Sequence, residues 1–200
     1  MKPLLLSLTF LLSSCALLSK GELGTRRFFS PELVAPAVST APLTHLELRL
    51  GRVSAAACGS EAMMYRRSQF EVGFDHERRW TEKPEVYLRR ALSQVLFEGS
   101  GVQSVMRGAA PVLEVELLEF EEVRAPSHVG RVKVAWSLGD ERVVWAQQTV
   151  RFERPIASSS GDAEGEAIVS ALSAALHEAV EAIGQQVSAE LSRRSTPAGS

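Results

Sequence analysis

Between Asp162 and Leu191 the apolar residues fall at Ile168, Leu172, Leu176, Val180, Ile183, Val187 and Leu191. Spacings of four and three put them on one face of an α-helix. A stripe that long needs a broad apolar surface to cover it, and a β-sheet supplies one. The pattern predicts a long helix from about Asp162 to Leu191 packed on a sheet. Ser158-Ser159-Ser160-Gly161 reads as the loop before it.

The rest of the chain supplies the strands. Leu46, Leu48 and Leu50 alternate with Glu47 and Arg49, the period of a half-buried strand. Met63 to Arg66 and Phe70, Val72, Phe74 suggest two short strands, with Ser68-Gln69 as a tight hairpin or a bend. Leu113, Val115 and Leu117 alternate with Glu114 and Glu116; then Leu118 and Phe120 take over the apolar phase. A one-residue slip of that kind is what a β-bulge produces. Val132, Val134, Trp136 and Leu138 form the next strand, and Gly139-Asp140 turns it into a hairpin with Val143 to Phe152. A first helix is expected from Thr81, which can cap it. Glu82 suits the positive first turn, and Pro84 is tolerated there. Leu88, Ala91, Leu92, Val95 and Leu96 are its stripe, and Gly99 or Gly101 its exit. These elements predict an α+β, two-layer domain with a mixed, mostly antiparallel sheet packed against two helices.

The opening is of a different kind. Met1-Lys2-Pro3, the apolar run Leu4 to Leu12 and the small residues Ser13-Ser14 have the three parts of a secretory signal. The run covers roughly 14 Å as a helix against a hydrocarbon core of about 30 Å, so it targets but does not span. Leu12-Ser13-Ser14-Cys15 resembles the bacterial lipobox. Residues 1–14 are therefore expected to be a lipoprotein signal peptide. Cys15 is the expected lipidation site, carrying diacylglycerol and an N-acyl chain. One chain holds only reversibly, whereas two or three hold a protein at the membrane. Ala16 and Leu17 follow where an inner-membrane retention signal would carry an Asp, which favours the periplasmic face of the outer membrane. Residues 15–42 read as a lipidated tether, with the Pro-rich stretch Ala35 to Pro42. Phe28 and Phe29 are the exception, a short strand or a docking point on the domain. The domain itself is expected over 43–192, enough chain to bury about 70% of its unfolded surface. Residues 193–200 read as a disordered tail.

Chemistry is sparse. The chain has 2 Cys, so an acylated Cys15 leaves Cys58 without an intramolecular partner and excludes a disulfide framework. Cys58, among Ala55-Ala56-Ala57 and Gly59, reads as a small apolar filler. A net charge of -2 gives no ground for a nucleic-acid partner. Arg89-Arg90 and Arg193-Arg194 read as solvated helix faces or ends. None of His45, His76, His128 and His177 has a neighbour at metal-ligand spacing. In His76-Glu77-Arg78-Arg79-Trp80 a Trp stands where a zinc-protease helix needs its second His. There is no Gly-x-Ser-x-Gly elbow, and Gly99-Ser100-Gly101 lacks the Lys-Ser/Thr end of a phosphate loop. Glu114, Glu116, Glu119, Glu121 and Glu122 resemble a carboxylate site, but alternation makes most of them the wet face of a strand. No enzyme, cofactor or metal is expected.

One local order is more informative. Tyr65-Arg66-Arg67-Ser68 is followed by Phe70 to Phe74, then Arg79-Trp80, then Pro84 and a helix with Leu92 and Leu96. Ser100-Gly101-Val102-Gln103-Ser104-Val105 closes it. This order resembles the ABC-type transport auxiliary lipoprotein component family, the PqiC-like group. Val102 stands where that family carries an aromatic residue. The likeness covers about residues 43–185. It implies a non-catalytic periplasmic subunit that works with a transporter bearing an MCE-domain subunit, as one or several copies, moving lipid between the two membranes. Tyr65, Arg66, Ser68, Arg79 and Trp80 are the partner-binding candidates, since Trp and Tyr beside Arg make typical interface anchors. The alternative for Trp80 is a core role, with Arg66 stacked on it. A structural or assembly lipoprotein, or a lipid carrier with its own cavity, would have the same composition.

Overall fold

The computed structural model describes residues 25–33, 46–56, 59–99 and 101–195. The signal peptide, Cys15, most of the tether, His45, Cys58 and residues 196–200 lie outside them. Eight strands form one open mixed sheet: β1 (Arg27–Phe29), β2 (Glu47–Ala55), β3 (Ala62–Arg66), β4 (Val72–Trp80), β5 (Gln103–Ser104), β6 (Val112–Val123), β7 (Val129–Gly139) and β8 (Val144–Pro155). Two helices, α1 (Pro84–Ser93) and α2 (Asp162–Ser195), cover it. The fold is α+β, in two layers.

β6 organises the sheet. Along one edge its first half pairs parallel with β2, and its last residues, Glu121 to Val123, pair parallel with β3. Its other edge runs antiparallel to β7, which continues into β8. The slip between Leu117 and Leu118 is a real register shift: Leu117 pairs with Val134, but Glu119 pairs with Lys133. Leu113, Val115 and Leu117 before the shift and Phe120 after it all stay in the core. The bulge preserves the apolar face as the strand twists. The Gly139-Asp140 turn is held by Asp140 Oδ1, which accepts from Arg142 N and Val143 N at 2.8 and 2.9 Å.

The stripe from Ile168 to Leu191 on α2 is buried throughout. The helix is long and apolar enough to cross a membrane by length and composition alone, but that face packs on β7 and β8. Its end differs from expectation. Arg193 and Arg194 both pair with the buried Glu190, and Arg194 stacks over Trp145 at 4.6 Å. Residues 193–195 therefore belong to α2 and not to a tail.

The first helix also starts later than its sequence suggests. Thr81 does not cap it; Lys83 occupies the cap position and makes no side-chain cap bond, and Pro84 opens the helix. The Thr81 hydroxyl lies 2.7 Å from the Tyr87 hydroxyl, which also accepts from Glu82 N at 2.8 Å. The fully buried Tyr87 thus competes for the side chain that would otherwise cap. Past Ser93 the helix widens into a π-helical turn, Gln94–Gly99.

Two further boundaries move. β4 runs on through His76 and Arg79 to Trp80, well past the short strand expected around Phe74. Phe28 and Phe29 lie in a strand: β1 pairs parallel with β4, Arg27 opposite Arg78 and Phe29 opposite Trp80. The Phe29 ring sits on α2 at Gly165, where a Cβ would lie 2.5 Å from Cζ, so only glycine admits the ring. Arg27 pairs with Asp162 at 2.8 Å, and Glu32 N donates to Ser173 Oγ at 3.1 Å. Residues 25–33 thus belong to the domain, not to the tether.

Candidate docking site

Three of the five candidates lie together in the β3–β4 hairpin. Tyr65 lies half-buried across it, with the Arg124 guanidinium 3.9 Å and that of Arg67 5.1 Å from its ring centre. Gly73, its register partner, makes room: a Cβ there would fall 2.5 Å from the ring. Arg66 does not stack on Trp80. It grips Glu121 with both arms, Nε to Oε1 at 2.7 Å and Nη2 to Oε2 at 3.0 Å. Bidentate pairs of this kind combine charge with fixed geometry. Glu121 keeps the Arg66 guanidinium above its ordinary value, against the opposing effect of burial. Ser68 holds the turn: its Oγ accepts from Phe70 N and Glu71 N at 3.3 and 3.1 Å.

The other two stand at the far end of β4. Trp80 is 1 % exposed, edge-on to Tyr87 at 6.1 Å and tilted against Phe120 at 5.0 Å. It is a core residue and offers a partner no surface in this conformation. Arg79, opposite Phe28, is half-buried, and its Nε has no hydrogen-bond partner among the described residues.

Sequence reasoning missed the centre of the site. Glu121 and Glu122 are not on a wet face; both are buried, at 0 % and 5 % exposure. Glu121 also accepts from Arg131 Nη1 at 3.2 Å, and Arg131 Nε reaches on to Glu153 at 2.7 Å. Glu122 accepts from Arg124 at 2.9 Å, meets His128 Nε2 at 2.8 Å, and has Arg78 4.0 Å away. Burial pushes the Glu122 carboxyl up, but the Arg124 and His128 hydrogen bonds and the positive charges outweigh it and hold it below its ordinary value. Arg78 is in turn fixed by Asp75 at 2.8 Å. Burial acts upward on Asp75 too, and the bonds from Arg78 and the Glu77 amide carry it downward. The paired Glu121-Glu122 after the phase shift was the available signal. The arginine that grips it from β3 is too distant in sequence to be read with it: Arg66 is 55 positions away.

With its carboxylates spent on arginines, the cluster is a rigid charged clamp rather than an acid-base pair. Among the described residues no group of three His, Cys, Asp or Glu could hold a metal ion. The space between the two helices, lined by Ala91, Val95, Leu176 and Val180, is about 10 Å³. That is room for at most about one water molecule. The larger concavity, about 650 Å³, lies open on the outer side of the sheet and is lined by polar side chains such as Arg52, Ser54, Glu114 and Gln147.

An open mixed sheet with two helices and a charge-clamped β3–β4 hairpin defines an α+β scaffold of two layers. The model of the ABC-type transport auxiliary lipoprotein component family matches residues 31–184, and the chain belongs to that family. Among curated proteins, none matches the sequence. A Xanthomonas campestris protein of the DUF330 family shares the fold, with a TM-score of 0.73 at 17% identity over 84% of this chain and 98% of that one. So does an uncharacterized protein, with a TM-score of 0.64 at 14% identity over 82% and 99%. A hypothetical protein from Chlamydia trachomatis follows at 0.53 and 10% identity over 74% and 98%.

Proposed function

We propose that this chain is a non-catalytic, lipid-anchored periplasmic subunit of an ABC-type, MCE-associated lipid transport system, and that it docks the transporter at the outer membrane. The family match over residues 31–184 is the observation that carries the reading. The lipobox at Leu12 to Cys15 supports the anchor. Catalysis and ATP hydrolysis then belong to other subunits. The lipid-carrier alternative requires an apolar chamber under α2; the gap between the helices is about 10 Å³, and the space of about 320 Å³ between α2 and the sheet is lined in part by Gln148, Gln186, Glu190 and Arg193.

The test is capture from detergent-solubilised envelopes with the acylated full-length chain. Recovery of an MCE-domain protein is the expected outcome. Recovery of barrel-assembly components instead would replace this reading with the assembly one. Cys15→Ser tests the anchor: the variant should remain an unprocessed or soluble precursor. Membrane retention after high-salt and carbonate washing would refute lipid anchoring.

A further inference from the structure

The β3–β4 hairpin exposes apolar side chains that no described residue covers. Phe70 at its tip is 89 % exposed, and Val72 and Phe74 on the following strand are 46 % and 42 % exposed. The tip is not frayed: the Ser68 hydroxyl ties it and Arg67 pairs with Glu71 at 3.2 Å. Its Phe is therefore held out into solvent by a built turn.

The direction of the leash says what lies opposite. β1 runs parallel to β4, so the chain traced backward from Phe29 through Arg27 heads toward the hairpin tip. Cys15 lies further along that chain. From the level of Arg78 to Phe70 the hairpin extends roughly 26 Å, at about 3.3 Å per residue. From Cys15 to Arg27 the chain can reach at most about 40 Å when fully extended. The tip is thus within the leash's reach and on its side of the domain. Of the other strongly exposed apolar residues, Phe28 lies in β1 opposite Arg79, and Met106, Val143 and Val144 sit at the opposite end: Gly139 pairs with Val112, at the start of β6, and Ser104 with Leu48, beside that start.

We propose that the Phe70 hairpin tip rests in the headgroup layer of the membrane that holds the Cys15 acyl chains. Interfacial segments bury Phe and other apolar side chains at the boundary between headgroups and acyl chains. Arg67, whose side chain is 55% exposed, stands beside the tip and would exchange its Glu71 partner for a lipid phosphate. The contact fixes how the domain stands: hairpin down, and the Met106 and Val143–Val144 end raised toward the transporter. The inference rests on the lipid-anchor reading.

The test uses acylated full-length Phe70→Trp in vesicles of phosphatidylethanolamine and phosphatidylglycerol, with and without brominated acyl chains. The parent chain supplies the baseline for Trp80, Trp136 and Trp145. The added emission should shift to shorter wavelength and be quenched by the brominated lipid. Flotation and the mass of the Cys15 peptide score the anchor separately. A floating, acylated protein whose added emission is neither shifted nor quenched overturns the hairpin contact and leaves the anchor standing. A shift without lipid quenching that grows with protein concentration assigns the tip to a second copy and also overturns it. A chain that neither floats nor carries lipid removes the leash, and the inference falls with the anchor.

Discussion

In the first half of β6, Glu114 and Glu116 stand in solvent while Leu113, Val115 and Leu117 are buried; past the bulge, Glu121 and Glu122 are themselves buried. The local composition is alike, so the difference comes from the neighbours. Before the bulge the outer face meets Ser137 and Ala135 of β7. After it, Arg66 from β3 and Arg131 from β7 close over Glu121, while Arg124, His128 and Arg78 close over Glu122. Alternation assigns a residue to a face; the strands on either side decide whether that face is wet. A buried carboxylate persists only when it is paired, because taking a charge out of water is costly.

The comparison can be broken most sharply at Trp80, which packs on Phe120 in the second half. Trp80→Ala should lower unfolding free energy by about 3–5 kcal/mol, the usual cost of such a cavity. Urea denaturation measures it, and an unchanged midpoint would return Trp80 to the surface. Next, Glu121→Ala leaves Arg66 and Arg131 without their shared partner and should cost roughly 3 kcal/mol. The double variant with Arg66→Ala should cost less than the two single changes summed, since the pair is coupled.

A smaller effect is expected at Glu122. Its carboxyl is held below the ordinary value of 4.5, so it stabilises the fold above that range. The contribution is lost as pH falls through the lowered folded value. Glu122→Gln should cost about 2 kcal/mol at neutral pH, as expected for a charged hydrogen bond, and should flatten the acid limb of the stability curve. Equal acid sensitivity in parent and variant would show that the clamp does not titrate as described. Smallest of all, Glu114→Ala and Glu116→Ala should stay within about 0.5 kcal/mol of the parent. A larger loss from either would make the two halves alike.

Much of the frame was legible because it rests on local periods. The α2 stripe, the Gly139-Asp140 hairpin and the slip after Leu117 each follow from spacing within one segment. What stayed hidden depends on side-chain partners that a period does not reveal. Thr81 looks like a cap until Tyr87 takes its hydroxyl. The charged run from Asp75 to Arg79 does not look like a strand, because Asp75 and Arg78 satisfy each other within it. Trp80 beside Arg79 has the composition of an anchor, and only the Phe120 and Tyr87 rings show it to be core. The Glu121–Arg66 clamp joins strands that are neighbours in the sheet but far apart in the chain.

The short first strand of the sheet has a mechanical consequence. A tug arriving through the segment ahead of Arg27 acts along β1, so its bonds to β4 are strained in shear and must give way together. The Arg27–Asp162 pair braces the same seam against α2, and the Phe29 ring keys into the notch at Gly165. With only three residue pairs in the seam, Arg27 to Phe29 against Arg78 to Trp80, a pull on that segment is expected to open it before the longer β6–β7 and β7–β8 ladders.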